Sequence, residues 1–163
     1  MSRSRSRLRH VPPVALAAAA WAALFALTSF AWAAGATTGL STLGTEIERQ
    51  AREADTAFVA LVWVTGVLKL AAAAIALSLD RLPRRVLTAI AVAAWVLLVY
   101  ESAELIQHVL MLAGPVDTPE ALGDAGVEGH VVLWDPFWIL GAALFIGAVR
   151  KSRRARSSCA CNN

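Results

Sequence analysis

Cysteine is almost missing from this chain: Cys159 and Cys161 are the only two, both in the last five residues. That placement leaves no disulfide framework to hold a small fold together. A C-x-C pair on a tail, without further ligands, also falls short of a structural zinc site. C-x-x-C, H-E-x-x-H, a Gly-rich phosphate loop and a nucleophile elbow are all absent, so thiol oxidoreductase, zincin, P-loop and α/β-hydrolase chemistries have no foothold. Charge is scarce too, at 17% of residues against about 25% in soluble domains. There are three histidines, and only His108 lies inside an apolar run, which disfavours a haem held by two axial imidazoles across helices.

What is present in excess is hydrocarbon, at 58% of residues. Four apolar runs stand out, at 14–34, 56–79, 86–112 and 131–149. Each reaches the ~17–25 residues that a helix needs to cross ~30 Å of lipid. In lipid the backbone must satisfy its own hydrogen bonds, so the runs read as helices and the fold class as all-α. Residues 1–13 and 150–163 are left as short basic tails, with no room for a separate soluble domain.

The basic residues are segregated. Arg3, Arg5, Arg7 and Arg9 precede the first run, and Arg81, Arg84 and Arg85 separate the second from the third. Arg150, Lys151, Arg153, Arg154 and Arg156 follow the fourth. Twelve of the fifteen basic residues therefore share one side, against Arg49 and Arg52 on the other. That other side carries Glu46, Glu48, Glu53, Asp55, Asp117, Glu120, Asp124 and Glu128. The positive-inside rule gives an integral membrane four-helix antiparallel bundle with both termini inside, in a plasma membrane. The arginines then lie against anionic lipid headgroups, and no nucleic-acid surface is expected. A basic start followed by "AWA" at 31–33 also resembles a secretory signal, but the apolar run is ~21 residues against 7–15 for a signal core. Retention as a membrane helix is the expectation.

Between the runs, Thr45 and Glu48 match a capping box, with Ile47, Ala51, Ala54 and Phe58 at helical spacing, so the second helix is expected to start near Glu46. The stretch 113–129 is rich in Gly and Pro and reads as an irregular cap. Trp32, Trp134 and Trp138 suit an outer interfacial belt.

The candidate site is an intramembrane polar cluster. At 100° per residue Glu101, Glu104 and His108 fall within about 60° of one another on the third helix. Lys69 sits mid-way along the second, on a face of small residues that points into the bundle. Lys69 lies roughly 16 Å and Glu101 roughly 22 Å from the inner ends, a gap that a lysine stem spans, so the two are expected to pair. Intramembrane charges that pair make a static lock the first reading; a proton or cation relay is the second. A metal site is the third, but a di-metal bundle wants such ligand sets on several helices and only one helix has one. No metal, cofactor or catalytic residue is expected. Asp135 before Pro136 reads as the N-cap of the fourth helix, or as a polar group at the outer mouth beside Glu104 and His108. His130 reads as a solvated loop residue.

Two short motifs carry a family resemblance: "SFAWAAG" at 29–35 with "GLSTLG" at 39–44, and "LWDPFWILGAALF" at 133–145. Together they resemble a family of small bacterial four-helix membrane proteins of unknown function. The resemblance implies four retained spans and supplies no catalytic residues. The function expected is that of a non-enzymatic membrane component or accessory subunit; a small proton- or cation-coupled carrier is the alternative.

Overall fold

Helix boundaries follow from where proline, glycine and short polar side chains fall. The computed structural model describes residues 11–160, with side chains up to Ser157. Arg3, Arg5, Arg7, Arg9, the Cys159 side chain and Cys161 lie outside the described set. Helix α1 (Pro13–Ala33) has its first proline where no backbone N–H is needed. It ends in a Schellman turn: Gly35 at φ +97° donates to the Trp32 carbonyl, and Ala36 donates to that of Ala31. The glycine of "SFAWAAG" is thus the left-handed residue that stops α1. A 3-10 turn at Leu40–Thr42 leads to α2 (Thr45–Arg52).

Helix α3 (Thr56–Ser78) is separate from α2. Ala54 breaks the path at φ +50°, and Asp55 caps α3 by accepting from the Phe58 N–H at 2.8 Å. The capping box expected at Thr45 does not form. Gly44 is the N-cap, Thr45 is already helical, and the Glu48 carboxylate bonds Arg52 instead of turning back to the backbone. Helix α4 (Arg84–Leu112) follows Pro83. Next come α5 (Gly123–Gly129), a π-helical turn (His130–Trp134) and α6 (Asp135–Ala160), which run on as one continuous helix. The fourth long helix therefore starts at Gly123, inside what reads from sequence as irregular loop.

Among the described residues four helices are long and apolar enough to cross a membrane: α1, α3, α4 and the composite from Gly123 to Ser157. Their packing order is α3–α1–α6–α4, since α1 packs against both α3 and α6, and α4 lies mainly against α6. Alanine makes the closest contacts feasible. Ala15, Ala18, Ala22 and Ala26 of α1 are buried, as are Ala73 and Ala76 of α3. The outer flanks of α3 and α4 display Leu61, Val64, Leu68, Val92, Val96 and Val99, all more than half exposed, as lipid-facing surface would be.

Aromatic rings fill the α1–α6 seam. Trp21 donates its indole N–H to the Phe137 carbonyl and lies against Gly141, where a Cβ would run into the indole ring. Phe25 meets Trp138 edge-on at 4.6 Å and Trp134 at 6.2 Å. Trp134 is buried and donates to the Thr42 hydroxyl at 3.0 Å. Trp134 is thus packed inside the bundle, and Trp138 is partly buried against the same cluster. At one end the 3-10 turn and α2 close over α5, where Gly126 and Gly129 let the backbones of Gly44 and Thr42 approach. At the other end Arg153 reaches Thr88, and Arg156 reaches the carbonyls of Leu79 and Asp80.

Candidate functional site: a buried His–Asp–His centre

Helix α4 presents Glu101, Glu104 and His108 along one stripe facing α6, with Glu101 and His108 buried and Glu104 partly exposed. What they meet on α6 depends on Pro136. Inside a helix its ring would collide with the carbonyl four residues back, that of Val132, and it has no N–H to donate. The chain answers with a π turn, in which Asp135 donates to the carbonyl of His130, five residues back. In a regular α-helix residues 130 and 135 would point about 140° apart. The wider π turn stacks them on one side.

The result is a three-residue centre. One Asp135 oxygen lies 2.7 Å from His108 Nδ1 and the other 3.0 Å from His130 Nδ1. The carboxylate can only accept, so both ring N–H groups donate to it. The imidazoles lie 4.6 Å apart, centre to centre. The Asp135 side chain is 2% exposed and that of His108 8%, while His130 keeps 24%. The far side of His108 is turned to Glu104, with Nε2 4.0 Å from the carboxylate. The donor atoms of His108, His130 and Asp135 all lie within 4.8 Å of one another.

Several sequence expectations change here. Asp135 is not an N-cap: its backbone is helical, at φ −63° and ψ −46°, and a helix precedes it. It lies instead against His108, 2.7 Å from the ring Nδ1. His130 is no loop residue. Lys69 does not face Glu101, because α3 packs on α1 while α4 packs on α6. The Lys69 ammonium donates to the Ser29 hydroxyl at 2.8 Å and sits 3.3 Å above the Phe25 ring. Ser29 in turn donates to the Phe25 carbonyl. A hydroxyl and a π face thus satisfy the cation in place of a carboxylate. The expected cluster is two clusters: Lys69 with Ser29 between α1 and α3, and Glu101, Glu104 and His108 with Asp135 and His130 between α4 and α6.

Over residues 11–145 the chain matches the family described as protein of unknown function (DUF3995). The chain belongs to this family. The match spans α1 through the first turns of α6, so it includes the Schellman glycine, the π turn and every member of the His–Asp–His centre. No curated protein and no solved structure matches the chain significantly.

Two signals for the missed residues lie in the sequence. Gly123, Gly126 and Gly129 recur every three residues, one face of a helix reserved for close approach. His130 and Asp135 stand five apart just before a proline, the spacing that a π turn brings together.

Proposed function

We propose that the protein is a non-enzymatic, multi-pass component of the plasma membrane, with both termini in the cytoplasm. In it the His108–Asp135–His130 joint fixes α4 against α6. The observation that carries this reading is the saturation of Asp135: both of its oxygens are taken, by imidazoles from two different elements, at 2% exposure. A buried carboxylate held that way favours one packing of α4 on α6, because any slip strands it in low dielectric. Topology is supported by the gathering of Arg153 and Arg156 at the α3–α4 turn, which itself carries Arg81, Arg84 and Arg85. Those side chains suit anionic headgroups at the cytoplasmic face.

The carrier reading draws less support. A path from the outer loops to Lys69 would have to pass the rings of Phe25, Trp134 and Trp138. The groove of roughly 350 Å³ lined by Arg49, Glu53, Asp55 and Phe58 shares no residue with either polar cluster. Reporter fusions at Pro83 and Ser158 should read cytoplasmic and one at Thr118 external; a cytoplasmic signal at Thr118 overturns the topology. For the joint, Asp135→Ala should lower the amount of folded protein in the membrane. Full abundance and full thermal stability of that variant would rule the joint out.

A further inference from the structure

The geometry points to a second use of the same centre: His108, His130 and Asp135 form a binding site for one divalent transition-metal ion of the zinc class. The inference rests on the joint being formed as described. Two imidazole nitrogens and a carboxylate are a borderline-soft set that suits such ions over Mg²⁺ or Ca²⁺, which prefer all-oxygen shells. Three protein ligands leave one or more positions for water or a further ligand.

Distance favours the assignment. Around a tetrahedral ion with bonds of about 2.1 Å, ligand atoms sit about 3.4 Å apart. The two Nδ1 atoms now lie 2.7 and 3.0 Å from the Asp135 oxygens, so the gaps must widen by about 0.7 and 0.4 Å. His130, the more exposed of the two imidazoles and seated on a π turn, can supply the smaller shift; the larger falls on the His108–Asp135 contact.

An independent observation concerns Glu104. Imidazoles that hold a metal through one nitrogen commonly donate from the other to a carboxylate, which fixes the tautomer and the ring's aim. His108 turns Nδ1 to the centre and Nε2 to Glu104, at 4.0 Å. At 4.0 Å no hydrogen bond is formed, and with the metal bound Glu104 would act as a positioning residue by closing that gap.

The test uses the full chain in lipid nanodiscs with Cys159→Ser and Cys161→Ser, so that the tail thiols do not contribute. After chelator treatment it is equilibrated with Zn²⁺, and bound metal is counted by atomic emission; Co²⁺ absorption reports the ligand type. One Zn²⁺ per chain is expected, with a Co²⁺ spectrum of nitrogen and oxygen ligation. His130→Gln, at the more exposed of the two histidines, where folding is less at risk, should weaken binding at least tenfold. Glu104→Gln should weaken it about 10–100-fold with stoichiometry unchanged. If helical wild-type protein binds no Zn²⁺, or His130→Gln binds as tightly as wild type, the inference is wrong. The unfolding midpoint of metal-free protein, compared with Asp135→Ala, reports the joint separately. An intact joint without metal binding sinks this inference alone.

Discussion

Replacing Asp135 by alanine removes the acceptor from two N–H donors at once, and their burial sets the cost. His108 is 8% exposed at its side chain, so its orphaned Nδ1–H finds no water and should cost about 1–3 kcal/mol. His130, at 24%, can turn to solvent and should lose about 1 kcal/mol or less. Asp135→Ala should therefore destabilise by about 1–4 kcal/mol in total. Asparagine keeps one carbonyl acceptor, and one histidine can change tautomer to meet the new amide, so Asp135→Asn should cost about 1 kcal/mol. The assay is reversible unfolding in mixed micelles, with wild type, both Asp135 variants, His108→Ala and the double His108→Ala/Asp135→Ala. Residues in contact should show a coupling of about 0.5–3 kcal/mol in that cycle. Additivity within about 0.3 kcal/mol would refute the reasoning, because residues that do not touch add. So would Asp135→Ala and Asp135→Asn both unfolding like wild type.

Three other outcomes follow from the packing. Lys69→Met and Glu101→Gln lie in different helix pairs and should be additive, whereas Lys69→Met and Ser29→Ala should couple; abundance or unfolding of the singles and doubles decides it. Gly141→Ala forces a methyl into the Trp21 indole and should cost about 1–3 kcal/mol, read from the same unfolding curves; Gly147→Ala, which meets only Val14, should cost less. On α2 the Glu46 carboxyl is held down to about 2 by hydrogen bonds from Arg49 and Gln50. Its lowered folded value means that the ion pairing persists above the ordinary carboxylate range and is lost as pH falls through about 2. A carboxyl NMR titration of Glu46 midpoint near 4.5 would show that the pair does not form in solution.

The long helices were legible because runs of ~20 apolar residues, the length a membrane span needs, satisfy their own backbone best as helices. The stop of α1 at "WAAG" has a local cause, Gly35 at φ +97°, although from sequence the motif carries only a family resemblance. What misled was pairing. Depth and a face of small residues suggest that Lys69 meets Glu101, but neither says which helices are neighbours in space. The alanine-lined faces of α1 and α3 and the aromatic seam of α1 and α6 decide otherwise. Asp-Pro misled in a second way. The pair reads locally as a helix start, yet the sequence before it, from Gly123, is itself helical, and the π turn resolves the conflict. That local conflict is where the His–Asp–His centre stands, a place where the chain departs from its simplest pattern.

Magnetic-resonance distance measurement on protein in bilayers tests the centre most directly, using ¹⁵N-labelled histidine and ¹³C-labelled aspartate carboxyls. Hydrogen bonds of 2.7 and 3.0 Å place both His108 Nδ1 and His130 Nδ1 within about 4 Å of the Asp135 carboxyl carbon. Two short couplings to one carboxyl, each lost in its own His108→Gln or His130→Gln variant, are the expected result. A single coupling, or none within about 5 Å, would contradict the account, because the carboxylate that joins α4 to the π turn would then hold at most one of them.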